Sequence, residues 1–245
     1  MDIYVYQGIQ LGARAILAID TSTRYGGVSI WHEGQMSSAQ SWRSLHSHTT
    51  ELMPAIKLVL QATSTTVHDL SMIAIALGPG GFSSLRVGIS VAKGLALAAR
   101  IPIIGIGTLE TEAYPYADTN LTICPILTAG KQRVSTALFK KVGHTWQQIQ
   151  DDQVLDLQEL PSTVPKGALL CGEGVMSHIE FLKTTLSHKS SIIEFHSPTT
   201  RLQALAALAM LKADTGFSDN TITLQPRYIR TPSIGAPKIQ QRVNL

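Results

Sequence analysis

Charged residues are scarce in this chain of 245 residues, at 15%, and cysteines are scarcer still, at two. Cys124 and Cys171 stand alone in the apolar runs 123–127 and 168–171. With no second cysteine near either, a disulfide framework or a metal site would need more pairs or ligands, and buried free thiols in a reducing compartment are the favoured reading. The longest weakly charged stretch, Val87 to Gly107, is broken by Lys93, Arg100, Pro102 and several glycines, which makes it a poor membrane span. The start has no basic segment followed by an apolar core, so a secretory signal is not expected. A net charge of +3 is too small to demand nucleic acid; it permits an RNA partner without arguing for one. No serine sits in a nucleophile elbow either, because the sharpest turn reads Gly78-Pro79-Gly80-Gly81-Phe82. What is present is an ordinary globular composition, 44% hydrophobic, long enough for one large domain or two lobes.

The chain is organised around Ser71 to Gly107. Met72 to Leu77 is continuously apolar, as in a strand buried on both faces; the glycine turn follows, then a helix from Ser83 to Arg100 and a second apolar run, Ile103 to Ile106. Strand, helix, strand implies a parallel pair joined by a right-handed crossover. Ser84, Gly88 and Ala92 fall four apart in the helix, so one face has almost no side-chain bulk and another backbone is expected against it. Upstream, Ile16 to Ile19, Gly27 to Trp31 and Met36 to Trp42 read as an antiparallel meander. Leu52, Ile56 and Leu60 then mark an amphipathic helix that starts near Ser47 to Thr50, with Pro54 in its first turn.

The first half therefore reads β-β-β-α-β-α-β, and the second half repeats the order loosely. Strands are expected at 121–127, 134–139, 146–155, 168–171 and 192–195, a short helix at most over 157–160, and a helix over 175–182. A strong helix, apolar nearly all round, starts at Ser197 and Pro198 and stops before Gly216; it is expected to wedge against both lobes or to return to the first. The fold class is thus α/β, with two ribonuclease-H-like lobes in an actin-like arrangement: an extension over 1–13, lobes over 14–108 and 109–197 with helix 198–213 free to return, and a C-terminal segment over 214–245. Such folds hold phosphates in the cleft, at the turn after the first strand of each lobe. Here the turns are Asp20 to Tyr25 and Thr128 to Gln132. Asp20, Thr21, Ser22 and Gly80 are therefore the nucleotide-contacting candidates. Against this, Ser22 stands where a glycine would admit phosphate most closely, and Thr128 leads the second turn without a carboxylate. Both turns also read as plain hairpins.

Three blocks carry a family resemblance: Ile16-Leu17-Ala18-Ile19-Asp20-Thr21-Ser22-Thr23, the segment His48 to Pro54, and Leu77 to Gly88 with Ala92-Lys93-Gly94-Leu95-Ala96. Together with Leu224 to Arg230 they are similar to the TsaB (YeaZ) family, the accessory subunits for making threonylcarbamoyladenosine in bacterial transfer RNA. The resemblance implies a cytoplasmic, non-catalytic partner of the metal-bearing paralogue TsaD. That complex transfers threonylcarbamoyl to N6 of adenosine 37 in tRNAs reading ANN codons and is reset by the ATPase TsaE. It further implies an interface of helices 50–60 and 83–99, with His48, Leu52, Ile56, Ser84, Arg86, Gly88, Ala92 and Leu95 facing the partner, and a possible homodimer through the same face. No cofactor is expected to bind this chain tightly; ATP and a metal belong to the complex, tRNA is met through it, and no membrane is involved. On this reading Gly88→Leu abolishes pairing and leaves the chain folded.

TsaD carries two histidines four apart on the helix after this unit, where both imidazoles reach one cation. The corresponding residues here, Gly107 to Ala113, contain no histidine, which favours the accessory subunit. An actin-like ATPase or small-molecule kinase centred on Asp20 is the alternative, and an M22-type metallopeptidase a third. His46, His48 and Glu51 can be drawn as metal ligands but lack a firm third partner, and a solvated helix start is the plainer reading. Ser83 and Ser84 read as helix-starting hydroxyls. Arg86, placed against the helix dipole, either answers a partner carboxylate or is solvated.

Overall fold

A computed structural model of the chain describes residues 15–44, 48–194 and 197–229. The readings for the extension 1–13, His46, Ser47, Phe195 and the tail from Arg230 lie outside them. The first sheet has the order β3-β2-β1-β4-β5, built from β1 (Ala15–Asp20), β2 (Tyr25–His32), β3 (Gln35–Arg43), β4 (Leu70–Gly78) and β5 (Ile103–Gly107). Strands β1 to β3 form the antiparallel meander, and β4 and β5 are parallel to β1.

Alternation in these strands creates two cores. Leu17, Ile19, Ile73, Ile75 and Leu77 point to one face, where α1 (Leu52–Ala62) and α2 (Phe82–Ala99) cover them with Leu52, Ile56, Ile89, Ala92 and Ala96. Ile16, Ala18, Met72, Ala74 and Ala76 point to the other. There α7 (Pro198–Asp214) returns across the sheet with Leu205, Ala206, Leu208 and Ala209. The alanines on both surfaces let this helix lie close, so its all-round apolar character reflects burial between elements.

Between the halves, α3 (Thr108–Ala113) follows β5 directly, and Leu109 and Ala113 pack on the second sheet. That sheet has the order β10-β9-β6-β7-β8, from β6 (Ile123–Thr128), β7 (Arg133–Val142), β8 (Thr145–Asp156), β9 (Leu169–Cys171) and β10 (Ser191–Ile192). Its far face is covered by α4 (Leu160–Thr163), α5 (Gly174–Ser177) and α6 (Ile179–Leu186). The helix expected over 175–182 is in fact two pieces, because His178 at φ −130° and ψ 18° leaves helical geometry. Strand β10 has two residues rather than four.

In α1 the first-turn position of Pro54 holds, since the helix begins at Leu52. In α2, Arg100 adopts the left-handed conformation at φ 56°, and its N–H returns to Ala96 and Leu97, closing the helix one residue before the expected end.

Candidate functional site

The cleft between the two sheets has a volume of about 830 Å³ and is bordered by the turn after β1, the glycine turn before α2 and the turn after β6. Ser22 lines it, Asp20 and Thr21 lie behind in the same turn, and all three are fully buried. Asp20 Oδ1 accepts hydrogen bonds from the N–H (2.8 Å) and hydroxyl (2.6 Å) of Ser22. Its second oxygen faces the guanidinium Nε of Arg201, an ion pair made without the angle of a hydrogen bond. The carboxylate that leads the turn is therefore committed to an internal cation.

The glycine turn is closed as well. Gly81 N–H donates to the Ser22 carbonyl at 2.9 Å, and a β-carbon on Gly80 would overlap that same carbonyl. The absence of a side chain at Gly80 thus serves chain-to-chain packing, and the close approach foreseen for phosphate is taken by Ser22. A metal–nucleotide does not fit Asp20, Thr21, Ser22 and Gly80 as they stand: the acid is neutralised and the two backbones are already bonded to each other. On the other side of the cleft, Ala129 N–H donates to Arg133 O, as in a hairpin, and Gly130 takes φ +114°.

Arg201 is the residue that reading the sequence missed. It is 1% exposed, in the first turn of α7, and gathers groups from three other segments, residues 20–25, α3 and the turn at Glu173. Besides Asp20, its Nη1 meets Glu112 Oε1 of α3 at 3.3 Å, Glu173 Oε2 at 3.4 Å and Thr23 Oγ1 at 3.0 Å, and its Nη2 donates to the Tyr25 carbonyl. Buried this deeply, an arginine is tolerable only when so paired. These partners hold its pKa above even the usual arginine value, against the opposing effect of burial. One signal was available: a cation in the first turn of a helix opposes the dipole and needs a local reason.

Five of the eight residues expected to face a partner are interior. His48, Leu52, Ile56, Gly88 and Ala92 are buried at 3% exposure or below, or, for Gly88, pressed against Thr21 and Ile75. The Ser84, Gly88 and Ala92 face lies against the chain's own first sheet, and Gly88 meets it through the side chains of Thr21 and Ile75 rather than through backbone. Thr21 Oγ1 donates to Ser84 O at 2.7 Å from the same side. His48 accepts from Trp42 Nε1 at 3.1 Å through Nδ1, and its Nε2 meets the Thr23 carbonyl at 2.8 Å, so both ring nitrogens are satisfied within the lobe. Among the described residues, no group of three or more His, Cys, Asp or Glu side chains is placed to hold a metal ion. Leu95 is half-buried against the same core. Arg86 is exposed, and within the chain it lies 3.9 Å over the Phe82 ring and donates to Tyr228 Oη at 3.2 Å. The hydroxyl of Ser84 donates to Gly81 O instead of capping the helix.

The outer side of α2 is different. The helix has a mean hydropathy of 1.3 and is long and apolar enough to cross a membrane by length and composition, yet only 28% of it is buried. Ser83, Arg86, Ser90, Gly94 and Leu97 are exposed along it, Leu97 at 56%. Met53 (48%) and Leu58 (55%) on α1 are exposed as well. A β-carbon on Gly94 would meet nothing within 4 Å. The stripe of small, accessible residues therefore runs through Ser83, Ser90 and Gly94, rotated from the one the spacing suggested.

Comparison with known proteins adds a family. The family described as TsaD: tRNA N6-adenosine threonylcarbamoyltransferase matches residues 43–229. The tRNA threonylcarbamoyladenosine biosynthesis protein TsaB of Escherichia coli K12 is 34% identical over 139 residues, 56% of each chain. The match therefore spans about half of that relative. Its namesake in Bacillus subtilis 168 is 28% identical over 230 residues, 93% of this chain and 99% of that one. The solved structure of YeaZ from Pseudomonas aeruginosa superposes with a TM-score of 0.71 at 21% identity, covering 88% of this chain and 99% of the other, and so shares the two-lobed actin-like fold.

Proposed function

The chain belongs to the TsaB (YeaZ) family within the broader TsaD family, and from that premise we propose that it is a non-catalytic subunit of the threonylcarbamoyladenosine machinery. Its role on this reading is to bind and stabilise a TsaD-type subunit that carries the metal and performs threonylcarbamoyl transfer to N6 of adenosine 37 in tRNAs reading ANN codons. TsaE, the ATPase, and tRNA are met through that assembly, in the cytoplasm. The observation that carries the proposal is the outer face of α2 and α1: Met53, Leu58 and Leu97 are exposed together with Gly94, on an apolar helix of which only 28% is buried. Burying such a face against a second pair of helices recovers roughly 25 cal/mol for each Å² removed from water, and the small residues allow close helix approach.

The commitment of Asp20 to Arg201 supports the same reading, since the acid that an actin-like ATPase would use for metal is already neutralised. Self-association of the isolated chain would use the same face. Reconstitution is the test: this chain, the TsaD-type paralogue, TsaE, ATP, threonylcarbamoyl-adenylate and unmodified tRNA are combined, and the modified nucleoside is measured by mass spectrometry. Product formation that needs this chain is expected. Equal product in its absence would overturn the proposal.

A further inference from the structure

Glu173 belongs to neither strand nor partner-facing helix, yet its position is tightly built. It follows Gly172, which has φ +100°, and precedes Gly174, where a β-carbon would meet the Ile126 carbonyl at 2.8 Å. The two glycines press this turn against β6 and aim the intervening carboxylate across the cleft. Oε1 receives Arg24 Nε at 3.1 Å, and Oε2 receives Arg201 Nη1 at 3.4 Å. Arg24 lies in the turn after β1, and Arg201 rides on a helix packed against the first sheet. One carboxylate of the second lobe is therefore forked between two guanidinium groups held by the first.

Both guanidinium groups lead to a single turn. Arg24 is part of it, and Arg201 bonds its neighbours Thr23 and Tyr25. The other side of that turn holds the start of α2, through Ser22 O to Gly81 N–H and Thr21 Oγ1 to Ser84 O. A continuous set of hydrogen bonds and ion pairs thus runs from the second lobe, through residues 20–25, to the N-terminus of α2.

We infer that Glu173 is an interlobe latch, which ties the second lobe to the first across the cleft and steadies the N-terminal turn of α2 through the turn at residues 20–25. The charge-assisted bond to Arg201 is made by a guanidinium removed from water and is strong, whereas the arm to the half-exposed Arg24 is weaker. Separating the lobes would break both arms at once. Glu173 is 13% exposed and Arg24 47%, so water can take over these groups when the latch opens, which suits a contact that opens and closes better than the permanently buried Asp20 pair.

The isolated full chain tests this without any partner. Spin labels are placed on Lys57→Cys in the first lobe and Glu180→Cys in the second, both exposed, while the native Cys124 and Cys171 stay buried and unlabelled. A single narrow interlobe distance is expected for the parent, and a broadened, longer distribution in Glu173→Gln. In parallel, amide exchange over residues 81–90 is expected to quicken by about threefold to tenfold in Glu173→Gln. An unchanged narrow distance in a variant that unfolds cooperatively would overturn the latch. Broadening with unaltered exchange at 81–90 would overturn its link to α2. Should Glu173→Gln not fold, Arg24→Ala, which removes the exposed arm alone, is expected to give the same two changes, and their absence there would count against the inference equally.

Discussion

Gly88 lies directly against the hydroxyl of Thr21, with no space between them for a β-carbon. Thr21 in turn donates to Ser84 O one helical turn away, so this contact fixes how deeply α2 sits on the sheet. The small-residue face is a packing surface of the lobe, and the consequences for substitution follow from that.

Gly88→Ala should destabilise the chain by about 1–3 kcal/mol, as overpacking of a closed contact does. Gly88→Leu should prevent folding, reversing the expectation drawn from spacing alone. Gly94→Ala, on the open side of the same helix, should stabilise by about 0.5–1 kcal/mol. Urea denaturation of the three variants checks the ordering.

Partner binding should respond to the other side of the helix. Gly94→Leu and Leu97→Asp are expected to weaken association with the TsaD-type subunit at least about tenfold, a change of roughly 1.4 kcal/mol. Their melting temperatures should stay near that of the parent. Titration calorimetry with the purified partner measures the loss, and undiminished affinity in both variants would place the interface elsewhere.

Arg201→Met leaves Asp20 and Glu112 buried without their shared cation, and should cost about 3–5 kcal/mol. Adding Asp20→Asn to it should restore part of that loss, because one uncompensated charge is then removed. A double-mutant cycle in urea gives the coupling directly.

Burial pushes the Cys124 thiol up to about 11, with the hydrogen bond to Thr136 only partly opposing it, and raises Cys171 well above the ordinary thiol range. Thiolate is the reactive form, so neither residue should react with an aromatic disulfide at pH 8 in the folded chain. Both should react within minutes in 8 M urea, on the order of the free-thiol rate. Fast labelling of the native protein would contradict the burial of both sites.

Burial raises the Glu110 carboxyl above its ordinary value, with Lys212 and Arg227 opposing the effect. The folded chain then holds this proton to higher pH than the unfolded chain does. The stability tied to the protonated form is complete below about pH 4.5 and is lost as pH rises through the elevated folded value. Glu110→Gln should therefore gain stability relative to the parent at pH 7 and show little difference near pH 4. Thermal melts at the two pH values decide it.

Apolar runs of strand length and the glycine turn made the first lobe legible before any coordinates. The continuous apolar character of Met72 to Leu77 and the four-residue spacing of Leu52, Ile56 and Leu60 are local properties, and local periodicity reports burial faithfully. The second lobe was harder, since its helices α5 and α6 are short and meet at His178, and β10 has only two residues; a short element offers too few residues to establish a period. The small-residue spacing in α2 was real, but spacing shows only that a face is compact. It does not reveal whether the compact face looks inward.

The cleft marks the same boundary. Composition and order determined by themselves the first β-β-β-α-β-α-β unit and its looser repeat, the two cysteines distant from each other in sequence, the turn led by Asp20 and the resemblance to the accessory family, because each is written in contiguous residues. Only the tertiary structure brought Asp20, Glu112, Glu173 and Arg201 together, from positions up to 181 residues apart, and turned Gly88 inward and Gly94 outward. The physical reason is that a buried charge is stabilised by whichever opposite charges the fold delivers to it, and that delivery depends on how helices cross sheets, which no local pattern encodes.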